Sequence, residues 1–174
     1  YTITIDVTPE INDAPTGASK TVETPEDVPY IFLESDFGFA DAIDSDSFLA
    51  VQITSLPTSG TLALDGVAIT DVTTTPVFIS VADINLNKLT FTPDANEFAA
   101  GYASFDFKVQ DTGGTANDGD VDISIDTYTI TIDVTPEIND APTGASKTVE
   151  TPEDVPYIFL ESDFGFADAI DSDS

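Results

Sequence analysis

The sequence predicts an all-β fold, a two-sheet antiparallel β-sandwich, from three observations. Apolar and polar residues alternate with a period of two in several short segments, which is typical of strands with one buried face. Turn signals separate these segments, and Asp65-Gly66 between apolar residues favours a tight hairpin. A single stretch, ISVADINLNKL, has the features of a helix. Short strands with so little helix favour a sandwich.

The first predicted strands are interrupted by prolines and by an acidic loop. The segment TVETPEDVPYIF contains two prolines, so we expect an edge or broken strand in which Val28, Tyr30 and Phe32 face the core. The following segment, LESDFGFADAIDSDS, has no regular period. We therefore expect a structured loop that is held in place by Phe37 and Phe39.

The middle of the chain contains a strand and the helical stretch. FLAVQITSLP is expected to be a strand that buries Leu49, Val51 and Ile53. In ISVADINLNKL, Ser80 is placed to cap a helix of one or two turns, with Asp83 three residues later.

The last strands alternate strongly but change parity once. KLTFTP and SFDFKVQD are expected to bury Leu89, Phe91, Phe105, Phe107 and Val109. In VDISIDTYTITIDV, the expected inward residues are Val121, Ile123, Ile125, Tyr128, Ile130, Ile132 and Val134. This set is odd-numbered at first and then even-numbered, which predicts a bulge or break near Asp126-Thr127.

The chain contains a long internal repeat. Tyr1–Ser47 and Tyr128–Ser174 are the same 47-residue string, offset by 127 positions. A unit of that size can form its own hydrophobic core. We expect residues 1–13 to be the C-terminal strand of a preceding repeat, 14–140 a complete domain and 141–174 the N-terminal part of a following repeat. The fragments at both ends are expected to be frayed or stabilised by neighbouring copies in a longer tandem array.

The composition is strongly acidic. The chain has 33 Asp and Glu against 4 Lys, with a formal net charge of −29. Residues 14–140 alone contain 17 Asp and 5 Glu against 3 Lys, or −19. Such a surface disfavours nucleic acid and anionic membranes, and it repels itself unless salt or bound cations offset the charge. Disorder is disfavoured because 41% of the residues are hydrophobic and alternate in strands. No apolar run approaches the ~20 residues of a membrane span.

The residue types limit the possible chemistry. The chain has no Cys and no His, which disfavours zinc, copper and iron sites, whereas oxygen-rich side chains suit Ca²⁺. No nucleophile–base pair or phosphate-binding loop is visible, and a glycosidase-like carboxylate pair is disfavoured without Trp, His or Arg. We therefore expect no enzyme activity and no small-molecule substrate. NDGDVD, with Asp118, Asp120 and Asp122, fits a partial Ca²⁺ loop or a charged hairpin about equally.

Several phrases occur together in one unit: NDAPTG before TPEDVPYIF, then DFGFAD, VQITSLPTSGTLALDG, LTFTPDANEFAAGYASFDFKVQDTGG and YTITIDVTPEINDAP. Together they resemble the tandem repeats of giant bacterial RTX-type adhesins, which are cadherin-like or immunoglobulin-like extender domains. The resemblance implies a structural spacer, stiffened by Ca²⁺, in a secreted protein of the bacterial cell surface that projects an adhesive tip. Its partners would be neighbouring identical repeats. The alternative function is an adhesive module that binds a sugar, ice or a cell-surface target.

The resemblance also implies Ca²⁺ ligands at each junction between repeats. EINDAP looks like the acidic linker of cadherins, PED like the motif on their first strand, and VQDTGG like an Asp that reaches back to the linker. DFGFADAIDSD is similar in placement to their paired-Asp loop. The implied ligands are Glu10, Asn12, Asp13, Glu26, Asp27, Asp36, Asp41, Asp44, Asp46, Asp111, Glu137, Asn139, Asp140, Glu153, Asp163 and Asp168. Several ions per repeat, with at least one at each junction, would clamp the linker, and without them the acids would repel and the linker would swing.

Overall fold

The computed structural model describes residues 1–7, 10–137 and 143–166. The chain divides into two compact units, Tyr1–Pro136 and Glu137–Ser174. In the first unit the strands are β1 (Lys20–Pro25), β2 (Tyr30–Ile31), β3 (Phe48–Ile53), β4 (Thr61–Leu64), β5 (Val67–Ala68), β6 (Val77–Ser80), β7 (Leu89–Thr92), β8 (Ala99–Asp111) and β9 (Tyr128–Thr135). A helix, α1, spans Val81–Asn85, and a 3₁₀ turn spans Glu34–Asp36.

The strands form two sheets, with orders β1-β9-β8-β3-β6 and β2-β7-β4-β5. The fold is mostly β and its pairing is mostly antiparallel, consistent with the predicted sandwich. The pairing of β1 with β9 differs because it is parallel, with Lys20 opposite Ile130 and Pro25 opposite Thr135. The prediction did not include this parallel pair. It arises because β1 lies at the sheet edge, beside the strand that ends the unit.

One hydrophobic core draws side chains from both sheets. The fully buried large residues include Phe32, Phe37, Phe91, Phe105, Phe107, Ile53, Leu89, Ile130 and Ile132. Aromatic rings meet edge to face, with Phe32 and Phe105 centroids 5.4 Å apart and Phe37 and Phe107 centroids 5.0 Å apart. Phe37 and Phe39 were predicted to hold the acidic loop in place. Phe37 is fully buried, and Phe39 is partly buried and stacks on Phe48 with centroids 4.6 Å apart.

Two short local signals are also confirmed. Ser80 Oγ accepts a hydrogen bond from the Asp83 amide at 3.1 Å and so caps α1. Asp65 and Gly66 have φ values of 50° and 75°, the left-handed conformation that joins β4 to β5 in a tight hairpin.

Four residues predicted to face the core are exposed. Leu49 is 44% exposed because the pairing of β3 with β8 shifts register between Phe48 and Ala50. Val28 is 46% exposed because its amide closes a turn onto the Pro25 carbonyl between β1 and β2.

Val121 and Ile125 are the other two exposed residues, at 41% and 78%. Residues 120–127 form no strand, apart from a bridge between Ile123 and Gln110, and β9 starts at Tyr128. The predicted break near Asp126-Thr127 is thus confirmed, but the segment before it buries Ser124 instead.

The repeated string takes different structures at its two positions. Tyr1–Val7 lies outside any strand and is exposed, whereas the same letters form β9 at Tyr128–Val134. In the second unit, a 3₁₀ turn at Glu161–Asp163 repeats the turn at Glu34–Asp36. Among the described residues, every helix is too short and polar to cross a bilayer.

Candidate metal site at the linker

Linker residues 10–13 lie against the loop that follows β8. The side chain of Asn12 is largely buried, and its Nδ2 donates to Asp111 Oδ1 at 3.1 Å, to the Gly114 carbonyl at 3.1 Å and to the Val121 carbonyl at 3.2 Å. Its backbone amide donates to Asp120 Oδ1 at 3.0 Å, and its carbonyl accepts from the Val121 amide at 2.9 Å. The linker is therefore fixed to the sandwich by both backbone and side chain.

Beside the linker, the acidic loop brings three carboxylates together. Oxygens of Asp41, Asp44 and Asp46 all lie within 4.8 Å of one another, close enough for a shared metal ion. Asp41 organises the loop, because its oxygens accept from the amides of Ile43, Asp44 and Asp46 at 3.1–3.2 Å. Partial burial raises the pKa of Asp41, but these amides outweigh burial, and the pKa lies below its ordinary value. The carboxylate is therefore held ionised.

Hydrogen bonds connect this loop to the linker and to the end of β8. The Asp13 amide donates to Asp44 Oδ2 at 2.6 Å. Thr112 Oγ1 donates to Asp46 Oδ1 at 3.3 Å and accepts from the Ser47 amide at 3.1 Å. Asp44, Asp46 and Thr112 contribute to a polar cavity of about 360 Å³, whose other lining residues are Glu10, Ile11, Asn12, Gly113, Asn117 and Asp120.

The most informative group is Asp111, which is fully buried at the end of β8. Its Oδ1 accepts from Asn12 and from the Gly113 amide, but its Oδ2 has no hydrogen-bond partner among the described residues. The buried Asn12 Oδ1 also has none there. Burial raises the pKa of Asp111, two hydrogen bonds lower it, and the charges of Asp46 and Asp41 raise it further, so that it lies above its ordinary value.

Two buried acceptor oxygens without donors require an explanation, because such atoms are normally satisfied by protein, water or an ion. A cation would satisfy Asp111 Oδ2 and offset its repulsion from Asp46 and Asp41. The candidate ligand atoms here are all oxygens, and Ca²⁺ prefers oxygen ligands at 2.3–2.6 Å. The residues present therefore fit a hard divalent cation.

Two predicted ligands lie at the other end of the unit. The Glu26 amide donates to the Thr135 carbonyl at 2.8 Å, and Asp27 Oδ1 accepts from the Asn96 amide at 3.1 Å. Thr135 is the last residue of β9. The residue before it, Val134, pairs with Ala99 at the start of β8. Since β8 runs 13 residues to Asp111, the two ends are about 40 Å apart. The structure does not bring these acids to the cluster.

The remaining predicted ligands are placed differently. Asp36 and Asp163 are bound to lysine side chains in separate networks, and neither belongs to the carboxylate cluster found among the described residues. Glu137 and Glu153 are exposed. Asn139, Asp140 and Asp168 lie outside the described residues.

The sequence-based ligand set left out three residues of the site. Asp120 accepts from the amides of Asn12 and Asn117, which hold its pKa below the ordinary value, and Asn117 and Thr112 line the same cavity. The phrase NDGDVD contained the signal for Asp120, and in the structure it forms a turn at residues 118–119. Its Asp122 accepts from Gln110 Nε2 at 2.9 Å.

Comparisons with protein-family models, with curated proteins and with solved structures gave no match to this chain. The candidate site therefore depends on the geometry of its own residues.

Proposed function

We propose that this chain is a spacer from a tandem array, an extender of a Ca²⁺-dependent bacterial surface adhesin, with Ca²⁺ bound where the linker meets the sandwich. The observation that carries the proposal is the buried Asp111 Oδ2, which has no hydrogen-bond partner among the described residues and belongs to a carboxyl group that the charges of Asp46 and Asp41 act on. We propose an adhesin of the bacterial surface because the sequence phrases described above resemble the repeats of RTX-type adhesins.

The metal would be held by the carboxylates that the fold already gathers. Asp41, Asp44 and Asp46 have oxygens within 4.8 Å of one another, and Asp111, whose Oδ1 is bonded to Asn12 of the linker, would add its Oδ2. A bound divalent cation supplies positive charge that offsets the repulsion of these acids. Because the Asp13 amide is bonded to Asp44 at 2.6 Å, holding Asp44 in place would also stiffen the linker.

A spacer role is supported by the repetition itself. The two copies of the 47-residue string are identical, and a spacer requires copy number more than variety. Strands of ~8–10 residues with loops and linker would advance an array by about 40–50 Å per copy. An adhesive module would instead be expected to vary its exposed surface between copies.

The metal site is tested by thermal unfolding in EDTA and in about 5 mM Ca²⁺, with Mg²⁺ as a second ion. We expect Ca²⁺ to raise the Tm, because a ligand of the folded state stabilises it in proportion to RT ln(1 + [L]/Kd). Asp111→Asn should abolish that rise. In EDTA the same variant should melt at the same temperature or higher, since it removes a buried charge that the charges of Asp46 and Asp41 repel.

Asp36→Asn is the matched control, because it also removes one buried carboxylate charge, but from a network bound to Lys20. Its Tm should be lower in EDTA while the Ca²⁺-induced rise is retained. Equal wild-type melting curves in EDTA and Ca²⁺ would contradict the metal site. The spacer role is tested separately by small-angle scattering of a three-copy tandem, where Ca²⁺ should lengthen and stiffen the particle.

A further inference from the structure

We propose that Asn12 is a metal-independent latch that holds the linker on a preformed slot of the sandwich. The slot consists of Asp111, Gly113, Gly114, Asp120 and Val121. This role differs from the ligand role that the resemblance implies for Asn12, and it does not depend on the proposed function. In an array, the linker of each repeat would occupy the equivalent slot of that repeat.

The orientation of the Asn12 amide group follows from its partners. Asp111 Oδ1 and the carbonyls of Gly114 and Val121 are all acceptors, so the donor Nδ2 must face them. A flipped amide would point its oxygen at three oxygens. An aspartate at position 12 would do the same with added charge, next to the buried Asp111 carboxylate.

The slot is shaped for this side chain. A Cβ on Gly113 would lie 2.2 Å from Asn12 Oδ1, which is closer than any real contact allows. Gly113 therefore lacks a side chain at the place where Asn12 inserts. Backbone bonds on either side add to the fit, since the Val121 amide donates to the Asn12 carbonyl at 2.9 Å and the Asn12 amide donates to Asp120 at 3.0 Å.

Every bond of the latch joins protein atoms, which has a consequence for the linker. Nδ2, the backbone amide and the carbonyl of Asn12 are all satisfied by the slot, and the atoms left over are Asn12 Oδ1 and Asp111 Oδ2. The linker should therefore stay docked when metal is removed. This differs from the expectation that acid repulsion frees it, because Asn12 is bonded to Asp111, Gly114, Asp120 and Val121 even though Asp46 and Asp41 repel the Asp111 carboxylate.

The test is amide hydrogen exchange of the 174-residue chain in EDTA, read at Val121 and Asn12. In the wild type both amides should be protected. Asn12→Asp should speed exchange at Val121 by on the order of tenfold or more, since the donor that fixes the slot is lost. The matched control is Asn139→Asp, which makes the same substitution at the equivalent position of the repeated string. The 111–121 segment, which forms the slot, occurs only once in the chain. Exchange at Val121 in that control should equal the wild type.

Gly113→Ala serves as a second variant, because its added methyl group would occupy the space of the Asn12 side chain without adding charge. It should also speed exchange at Val121, while the β8 amides, which report the folded core, remain protected. Exchange in Asn12→Asp equal to that in Asn139→Asp would overturn the latch. So would a wild-type Val121 that is protected only with Ca²⁺, a result that would leave the proposed metal site standing. Protection in EDTA without any response to Ca²⁺ would support the latch and contradict the metal site.

Discussion

Lys20 Nζ lies 2.6 Å from Asp36 Oδ1, and Asp36 is 1% exposed while the Lys20 side chain is 43% exposed. Asp36 Oδ2 accepts from the Leu33 amide at 2.8 Å and from the Tyr30 hydroxyl at 3.1 Å. The carboxylate therefore ties β1, β2 and the 3₁₀ turn together. Its oxygens are occupied by protein donors, which explains why this Asp, although predicted to bind metal, serves the fold.

Replacing Asp36 by Asn should destabilise the first unit by about 2–4 kcal/mol, because the exposed Lys20 loses its partner and a buried acceptor becomes a donor. The measurement is urea unfolding followed by near-ultraviolet circular dichroism. Asp163→Asn is the control, since Asp163 makes the same bond to Lys147 at 2.6 Å in the second unit. That variant should leave the main transition unchanged, and equal losses in both variants would refute the assignment.

Stability should fall in alkaline solution because of two tyrosines. Burial, then the charge of Asp36 and its hydrogen bond, raises the pKa of Tyr30 from 10.0 to about 12. Burial also raises the pKa of Tyr102 to about 12, assisted by Asp94 and Glu97. The unfolded chain loses these protons near pH 10 while the folded chain keeps them. The stability that these two phenols contribute is therefore fully present below pH 10 and is lost as the pH rises towards 12.

The measurement is the urea midpoint between about pH 9 and about pH 11.5. Tyr30→Phe and Tyr102→Phe should each make the midpoint less dependent on pH over this range, and the double variant should do so most. Tyr157→Phe, at the position equivalent to Tyr30, is the control for the second unit, where the hydrogen bond to Asp163 also raises the pKa of Tyr157, and it should leave the pH dependence of the main transition unchanged. An unchanged slope in the double variant would show that neither phenol is responsible.

Gly38 is required by two features at once. Its φ is +57°, and an added Cβ would lie 2.6 Å from the Ala18 Cβ. Gly38→Ala should therefore cost about 2–4 kcal/mol from the positive φ and the clash together. Gly66→Ala is the control, because it shares the positive φ but has open space around it, and it should cost only about 1 kcal/mol. Similar losses in urea unfolding would mean that the contact with Ala18 is unimportant.

The repeated string shows which structure is predictable from local sequence. The 3₁₀ turn and its Lys–Asp pair form in both copies, because they join residues only 16 positions apart. Lys20–Pro25 forms β1, but the same letters at 147–152 form no strand. Phe32 is fully buried, whereas the equivalent Phe159 is 63% exposed. Strand formation and burial therefore depend on distant partners that a local pattern does not contain.

The candidate site shows the same limit. The composition predicted oxygen ligands, and Asp41, Asp44 and Asp46 were named from a single loop, where spacing alone keeps them close. The position of Asn12 against Asp111 joins residues 99 positions apart, so the sequence could nominate both residues but not show which Asn12 atom is used. Leu49 is a similar case, since its exposure follows from a register shift that alternation cannot indicate.

The same string also provides a stability experiment within one molecule. Ile5 and Ile132 occupy equivalent positions in the repeat, yet Ile5 is 81% exposed and Ile132 is fully buried in β9. Ile132→Ala should cost about 2–5 kcal/mol, because it removes buried methylenes and leaves a cavity between the sheets. Ile5→Ala should change the free energy of unfolding by less than about 0.5 kcal/mol. The measurement is the free energy of unfolding of both variants in urea. A large loss in Ile5→Ala would show that Tyr1–Val7 packs on a partner in solution, because an exposed side chain cannot otherwise contribute that much.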